Sequence, residues 1–283
     1  MGNKRADNLR QRRIYRGSLC IFPLRLQDAR PDCELLSQFG VCRQAQHGTA
    51  LAFRGTQSFG RGNGDRASGN YMKYDFLVET YETERIKVVS VWSEFTDEEL
   101  PVRPRQSDPR GRSVHEQMVH QCVSEDLWFR NMLGIDVGAP PLPQEETRLE
   151  FIRRYAEDSG KRLDALREKR EPWWEEETQF FDVRHSRAWV MTRRMTHTSH
   201  HRGQLMAMLR MLGHELHSNY GPTADTGGLM QNHAPTIYAY SSLDALLKGE
   251  AEGGGKAGLP GASGKPVTER PGSVDPSRGS PEK

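Results

Sequence analysis

The fold of this chain is decided by the stretch Val190-Met-Thr-Arg-Arg-Met-Thr-His-Thr-Ser-His-His-Arg-Gly-Gln-Leu-Met-Ala-Met-Leu-Arg-Met-Leu212. Positions three or four residues apart form one stripe along it, which is the spacing of one helix face. The stripe consists of Val190, Arg194, His197, His201, Leu205, Met208 and Leu212. It predicts a helix from about Ser186 to Leu212, ended by Gly213. His197 and His201 therefore project from the same face as core leucines.

Apolar spacing and capping residues predict three other long helices and one short helical piece. In the second helix, Ser113 and Glu116 have the spacing of a capping box. No segment shows sustained period-two alternation, so the predicted fold class is all-α, an antiparallel four-helix bundle. The predicted segments are Tyr74–Thr96, Ser113–Leu133, Thr147–Leu166 and Ser241–Leu247.

The first 71 residues carry twelve Lys and Arg against five Asp and Glu, a formal charge of +7, which leaves −5 for the rest of the chain. We interpret residues 1–71 as a basic, disordered leader. A nucleic-acid-binding arm is the disfavoured alternative, since the basic residues are not interleaved with aromatic ones. A further hypothesis is that translation begins at Met72 and that residues 1–71 are upstream sequence read in frame.

Residues 249–283 contain nine glycines and five prolines, a composition that cannot bury enough apolar surface to fold. They are expected to form a disordered tail, which leaves residues 72–248 as one domain. The chain has no apolar run long enough to span a membrane and no secretory signal. Its four cysteines are too few for a disulfide scaffold, so a cytoplasmic location is expected.

The candidate metal ligands of this chain are histidines. Two imidazoles four residues apart on a helix, as in His197 and His201, can share one metal ion. His120 on the second helix also faces a packed surface, so two helices offer three inward imidazoles. The alternative for each is a buried histidine satisfied by other partners. Cys122 lies about 200° around the helix from His120 and is expected in the core rather than among the ligands.

Two segments of the chain resemble a known family. They are the string His197-x-x-His200-His201-Arg202-Gly203-Gln204 and the stretch His120–Phe129. Together they resemble the signature of the DinB family, also called DinB/YfiT-like metalloenzymes. The resemblance covers roughly Met72 to Gly213.

The resemblance implies a DinB/YfiT-like four-helix bundle around one divalent metal cation, zinc or nickel, bound by His120, His197 and His201. Three imidazoles would leave a tetrahedral ion one open position, as in catalytic zinc sites. Some members of the family are transferases that use a low-molecular-weight thiol as cosubstrate.

Three further residues are candidates for catalytic or supporting roles. Glu116 is either a base near His120 or, as the spacing favours, part of the capping box. Arg202 and Gln204 are groups that orient the ligands or contact substrate. The alternative is that Gly203 allows close helix packing and that Arg202 is a solvated charge.

The first functional hypothesis is a metal-dependent thiol S-transferase that acts on a small electrophilic substrate. The alternative is a non-catalytic metal-binding module, for stress response or interaction, on the same fold. A homodimer is expected from the exposed faces of a small bundle.

Overall fold

The computed structural model describes residues 72–230, 233–264 and 267–268. This part of the chain is mostly helical, as predicted, with six α-helices and two short strands. The predicted leader, residues 1–71, lies outside the described residues. None of the described helices is long and apolar enough to cross a membrane. The elements are α1 (Asp75–Ser93), α2 (Val114–Met132), α3 (Arg148–Arg167), α4 (Glu171–Glu175), β1 (Glu177–Phe180), β2 (Val183–Ser186), α5 (Arg187–Met211) and α6 (Leu243–Ala251).

The starts of α2, α3 and α5 agree with the predicted helix starts, and each has a side-chain cap. The Ser113 hydroxyl accepts the backbone N–H of Glu116, and the Glu116 carboxylate accepts that of Ser113. Thr147 and Ser186 cap α3 and α5 through their side chains. Such caps satisfy amide groups that the first helical turn leaves unpaired.

A β-hairpin between α4 and α5 was not predicted. Strand β1 pairs antiparallel with β2, and Phe180 lies opposite Val183 across the turn. The four-residue strands are largely exposed and carry polar residues on both faces. Their sequence therefore lacks the alternation of apolar and polar residues by which a half-buried strand is recognised.

The directions of the four long helices follow from two apolar clusters. The cluster around Met118 also contains Trp92, Phe151 and Leu209, and the cluster around Phe129 also contains Leu77, Leu166 and Val190. Helix α1 packs against α3 and α5, and α2 packs against the same two helices. Helices α1 and α5 run from the cluster around Phe129 toward the cluster around Met118, and α2 and α3 run the other way. Helices α2 and α3 therefore run in the same direction, which corrects the predicted antiparallel order. The long connector between them lets the chain run back along the length of α2 before α3 begins.

A layer of buried polar side chains lies between the two apolar clusters, centred on Glu125 of α2. Its carboxylate accepts the hydroxyl of Tyr81 at 2.6 Å and that of Tyr155 at 2.7 Å. Arg162 lies 3.5 Å and Arg194 3.6 Å from the same carboxylate. These partners come from α1, α3 and α5, so one buried anion ties α2 to the other three long helices.

The packed chain continues past the predicted boundary at residue 248. Helix α6 ends at Ala251, and the amide of Ala257 donates to the carbonyl of Ala239. The ring of His217 donates from Nδ1 to Glu94 at 2.8 Å and from Nε2 to the Ala257 carbonyl at 2.7 Å. These contacts hold the beginning of the Gly-rich segment against α1.

We expect Glu125→Ala to lower the free energy of unfolding by about 3–5 kcal/mol, because it leaves two buried guanidinium groups without their shared anion. Urea denaturation monitored by circular dichroism measures this change. The control is Glu82→Ala, which breaks an exposed pair with Arg167 and should cost less than about 1 kcal/mol. Equal effects of the two variants would show that Glu125 does not hold the helices together.

The contact between His217 and Glu94 should also make stability depend on pH. Burial opposes the charged ring, but its hydrogen bonds to Glu94 and to the Ala257 carbonyl raise the pKa of His217 above its ordinary value. A raised pKa in the folded state stabilises the protein below the ordinary pKa of histidine, and this gain is lost as pH rises through the raised pKa.

The test compares the Tm of the parent with that of Glu94→Gln between about pH 5.5 and 9. The gap between the two proteins should be widest at the acidic end and should shrink as pH rises. A gap that stays constant across this range would contradict a charged His217.

Candidate metal centre

Three imidazoles from two helices converge at one point. His120 lies on α2, and His197 and His201 lie one turn apart on α5. The Nε2 atom of His197 is 3.4 Å from that of His120 and 3.1 Å from that of His201. His201 is buried and the other two are partly buried. The described residues contain one such group of potential metal ligands, and these three histidines form it.

All three rings are neutral at pH 7. Burial is the main cause, and it lowers the pKa of His120 to about 3, that of His197 to about 2 and that of His201 to about 4. The positive charge of Arg112 contributes at His120 and that of Arg194 at His197. A neutral imidazole is the form that binds a metal, so no proton needs to leave at pH 7.

Gln204 orients His201. Its side-chain oxygen lies 2.9 Å from Nδ1 of His201 and 2.9 Å from the amide nitrogen of Gln117 on α2. Since that oxygen only accepts hydrogen bonds, Nδ1 of His201 carries the proton and Nε2 presents a lone pair to the centre. This arrangement is how a neighbouring carbonyl fixes the tautomer of a metal-binding histidine.

His197 is oriented by stacking. Its ring lies 5.7 Å from that of Trp128, with 22° between the planes. Arg194 lies against the same indole, 5.7 Å from its centroid. The Nδ1 atom of His197 is buried and has no hydrogen-bond partner among the described residues. Ring packing from α2 therefore sets the direction in which its Nε2 points.

The donor set fits a divalent metal ion. Two nitrogens that bind one tetrahedral ion at about 2.0–2.1 Å are about 3.3–3.4 Å apart, close to the distances found here. The Nε2 atom of His201 carries no proton, so it cannot donate a hydrogen bond to the other two converging nitrogens. A cation would satisfy all three lone pairs at once, so this group could hold a metal ion.

The other predicted candidates lie in different surroundings. Glu116 belongs to the capping box and pairs with Arg103 through two hydrogen bonds of 2.6 and 2.7 Å. Arg202 is buried and pairs with Glu84, which corrects the view of it as an exposed charge. Open space faces Gly203, so this glycine is not needed for close helix packing.

His200 lies outside the group of ligand nitrogens, as the helical spacing predicts, and its ring lies 5.0 Å from that of His201. It is exposed, and its Nε2 lies 3.1 Å from the amide nitrogen of Gln204. Cys122 is buried in the apolar cluster around Met118 and lies outside the ligand group.

Three supporting residues were missed in the sequence: Gln117, Trp128 and Arg112. Gln117 lies one turn before His120, a spacing that could have indicated a neighbour of the site. The role of Trp128 depends on packing between α2 and α5, and Arg112 acts from the loop before α2, so neither had a local signal.

The chain is similar to proteins of one family. A family model described as DinB family matches residues 71–228. A DinB-like protein from Bacillus cereus is 16% identical, with a TM-score of 0.45 over 51% of this chain and 95% of that chain. A DinB-like protein from Bacillus subtilis is 18% identical, with a TM-score of 0.41 over 50% of this chain and 93% of that one. Comparison with curated proteins gives no match.

The contact between Gln204 and His201 is testable through metal affinity. We expect Gln204→Leu to weaken zinc binding by about 10–100-fold, because leucine cannot accept the Nδ1 proton of His201. Competition with a chromophoric chelator measures the affinity. Gln204→Glu is the matched control, since its carboxylate still accepts that proton. Equal weakening in both variants would contradict the role of the side-chain oxygen.

Proposed function

This chain belongs to the DinB family, and on that premise we propose that it is a metal-dependent enzyme with one divalent cation held by His120, His197 and His201. The observation that carries the proposal is the convergence of three neutral Nε2 atoms, with separations of 3.1 and 3.4 Å. Zinc and nickel are the proposed metals, since both accept imidazole ligands. When bound, such a cation supplies Lewis-acid activation of a nucleophile at an exchangeable position.

The residues around the cluster prepare it for that role. Gln204 keeps the proton of His201 on the outer nitrogen, and Trp128 fixes the ring plane of His197. Burial keeps the three rings neutral. His120 and His197 are only partly buried, so the cluster is not sealed from solvent.

The proposed reaction is attack by the sulfur of an external low-molecular-weight thiol on the electrophilic carbon of a small substrate. A C–S bond forms, the thiol proton goes to solvent, and the leaving group departs with the electron pair of its bond to that carbon. Support comes from Cys122, the one cysteine among the described residues. Burial raises the pKa of its thiol, so Cys122 is not poised to act as a nucleophile. The described part of the chain therefore offers no nucleophilic cysteine, which favours a cosubstrate as the source of the sulfur.

We also propose an architecture, a substrate class, an oligomeric state and a location. The four long helices form one bundle around the metal, and the protein acts on a small molecule rather than on nucleic acid. A homodimer is its working state, and the cytoplasm is its location.

The first test is metal content. Full-length protein reconstituted with zinc or nickel should retain close to one equivalent, and His201→Ala should retain little, because two imidazoles hold an ion far less tightly than three. His200→Ala is the matched control, since His200 is adjacent and exposed, and it should retain metal like the parent. Inductively coupled plasma mass spectrometry after gel filtration gives the ratios. Equal retention by His201→Ala and the parent would reject the site.

The second test separates the enzyme from a non-catalytic metal-binding module. Cobalt-loaded protein should change its visible spectrum when thiol or azide is added, because an exchangeable position accepts either ligand. A spectrum that stays unchanged would favour the non-catalytic alternative.

A further inference from the structure

A group of aromatic rings stands beside the three histidines. We call Trp128, Phe180, Phe181 and Trp189 the aromatic wall. The rings of Phe180 and Phe181 lie edge-on to Trp128 at 5.2 and 6.2 Å, and Trp189 lies edge-on to Phe180 at 4.9 Å. The wall draws on α2, the β-hairpin and the start of α5, so three separate elements bring their aromatic residues to one place.

The aromatic wall is continuous with the candidate metal centre. Trp128 contacts Phe180 and Phe181 and also stacks on the ring of His197. The aromatic wall therefore reaches the ring of one candidate ligand. Such a surface attracts apolar and especially aromatic groups.

The aromatic wall remains partly open to solvent. Phe181 is 47% exposed and Trp189 is 37% exposed. Phe181 also has a φ of 52°, a left-handed conformation that disfavours bulky residues and suits Gly, Asn or Asp. Because Phe181 is exposed, burial does not explain why a phenylalanine occupies this unfavourable conformation. A contact with a ligand would explain it.

We propose that the aromatic wall is the subsite for an aromatic group of the substrate, whose reacting atom lies at the three histidines. This inference rests on the proposed function and gives its substrate class: a small electrophile that carries a phenyl-like group. The hairpin turn, through Phe181, is the part of the wall that sets this preference.

Two hydroxamates that bind metal through the same group test the proposal. Acetohydroxamate and phenylacetohydroxamate differ by one phenyl ring, and isothermal titration calorimetry on zinc-loaded full-length protein gives both Kd values. We expect phenylacetohydroxamate to bind about tenfold tighter or better, the gain expected from burying much of a phenyl ring. Phe181→Asn should remove most of that ratio while zinc content stays at the parent value.

Phe181→Asn is chosen because asparagine tolerates the left-handed conformation. Phe76→Asn is the matched control. Phe76 is 51% exposed and lies on α1, outside the aromatic wall, so its loss should leave the ratio unchanged.

The outcomes separate this inference from the function on which it rests. Equal affinities of the two hydroxamates in the parent would overturn the aromatic subsite and leave the metal centre intact. Loss of zinc from the parent, or binding of neither hydroxamate, would overturn the proposed function and the subsite with it. If Phe181→Asn changed the sedimentation coefficient and not the ratio, the wall would be a contact between copies, and the inference would be wrong.

Discussion

The buried carboxylate of Glu125 is the constraint on which the arrangement of the long helices depends. It is fully excluded from solvent and must find its partners inside the protein. Burial and the Glu125 charge raise the pKa of Tyr81 and Tyr155, so both remain phenols that donate to it. The guanidinium of Arg162 balances the negative charge of Glu125. A shift of any long helix along its axis would break part of this set, whereas apolar contacts alone would tolerate sliding.

The same layer determines where the histidines meet. Glu125 follows His120 on α2, and its partner Arg194 precedes His197 on α5. Once Arg194 reaches Glu125, the inward face of the next turn of α5 lies opposite His120. Arg194 also packs on Trp128, which in turn stacks on His197. The network that sets the register of the helices thus also sets the direction of one candidate ligand.

Local patterns were enough to predict part of this structure. Capping residues such as Ser113 identify helix starts, and the spacing of His197 and His201 shows that they share a face. Other features depend on partners far apart in the chain. The sequence left both a solvated and a supporting role open for Arg202, because its partner, Glu84, lies 118 positions away.

The hairpin and the parallel pair α2 and α3 escaped prediction for related reasons. The hairpin strands are short and polar, and the direction of α3 depends on how its connector crosses the fold.

X-ray absorption spectroscopy of the zinc-loaded, full-length protein tests the central claim most directly, because it reports the ligands of the ion itself. The account predicts nitrogen or oxygen neighbours only, at about 2.0–2.1 Å, with the multiple scattering of three imidazoles. A sulfur neighbour at about 2.3 Å, or scattering from fewer than three imidazoles, would contradict it. Fewer than three imidazoles would mean that His120, His197 and His201 do not together hold the metal, and a sulfur neighbour without added thiol would mean that a cysteine holds it as well.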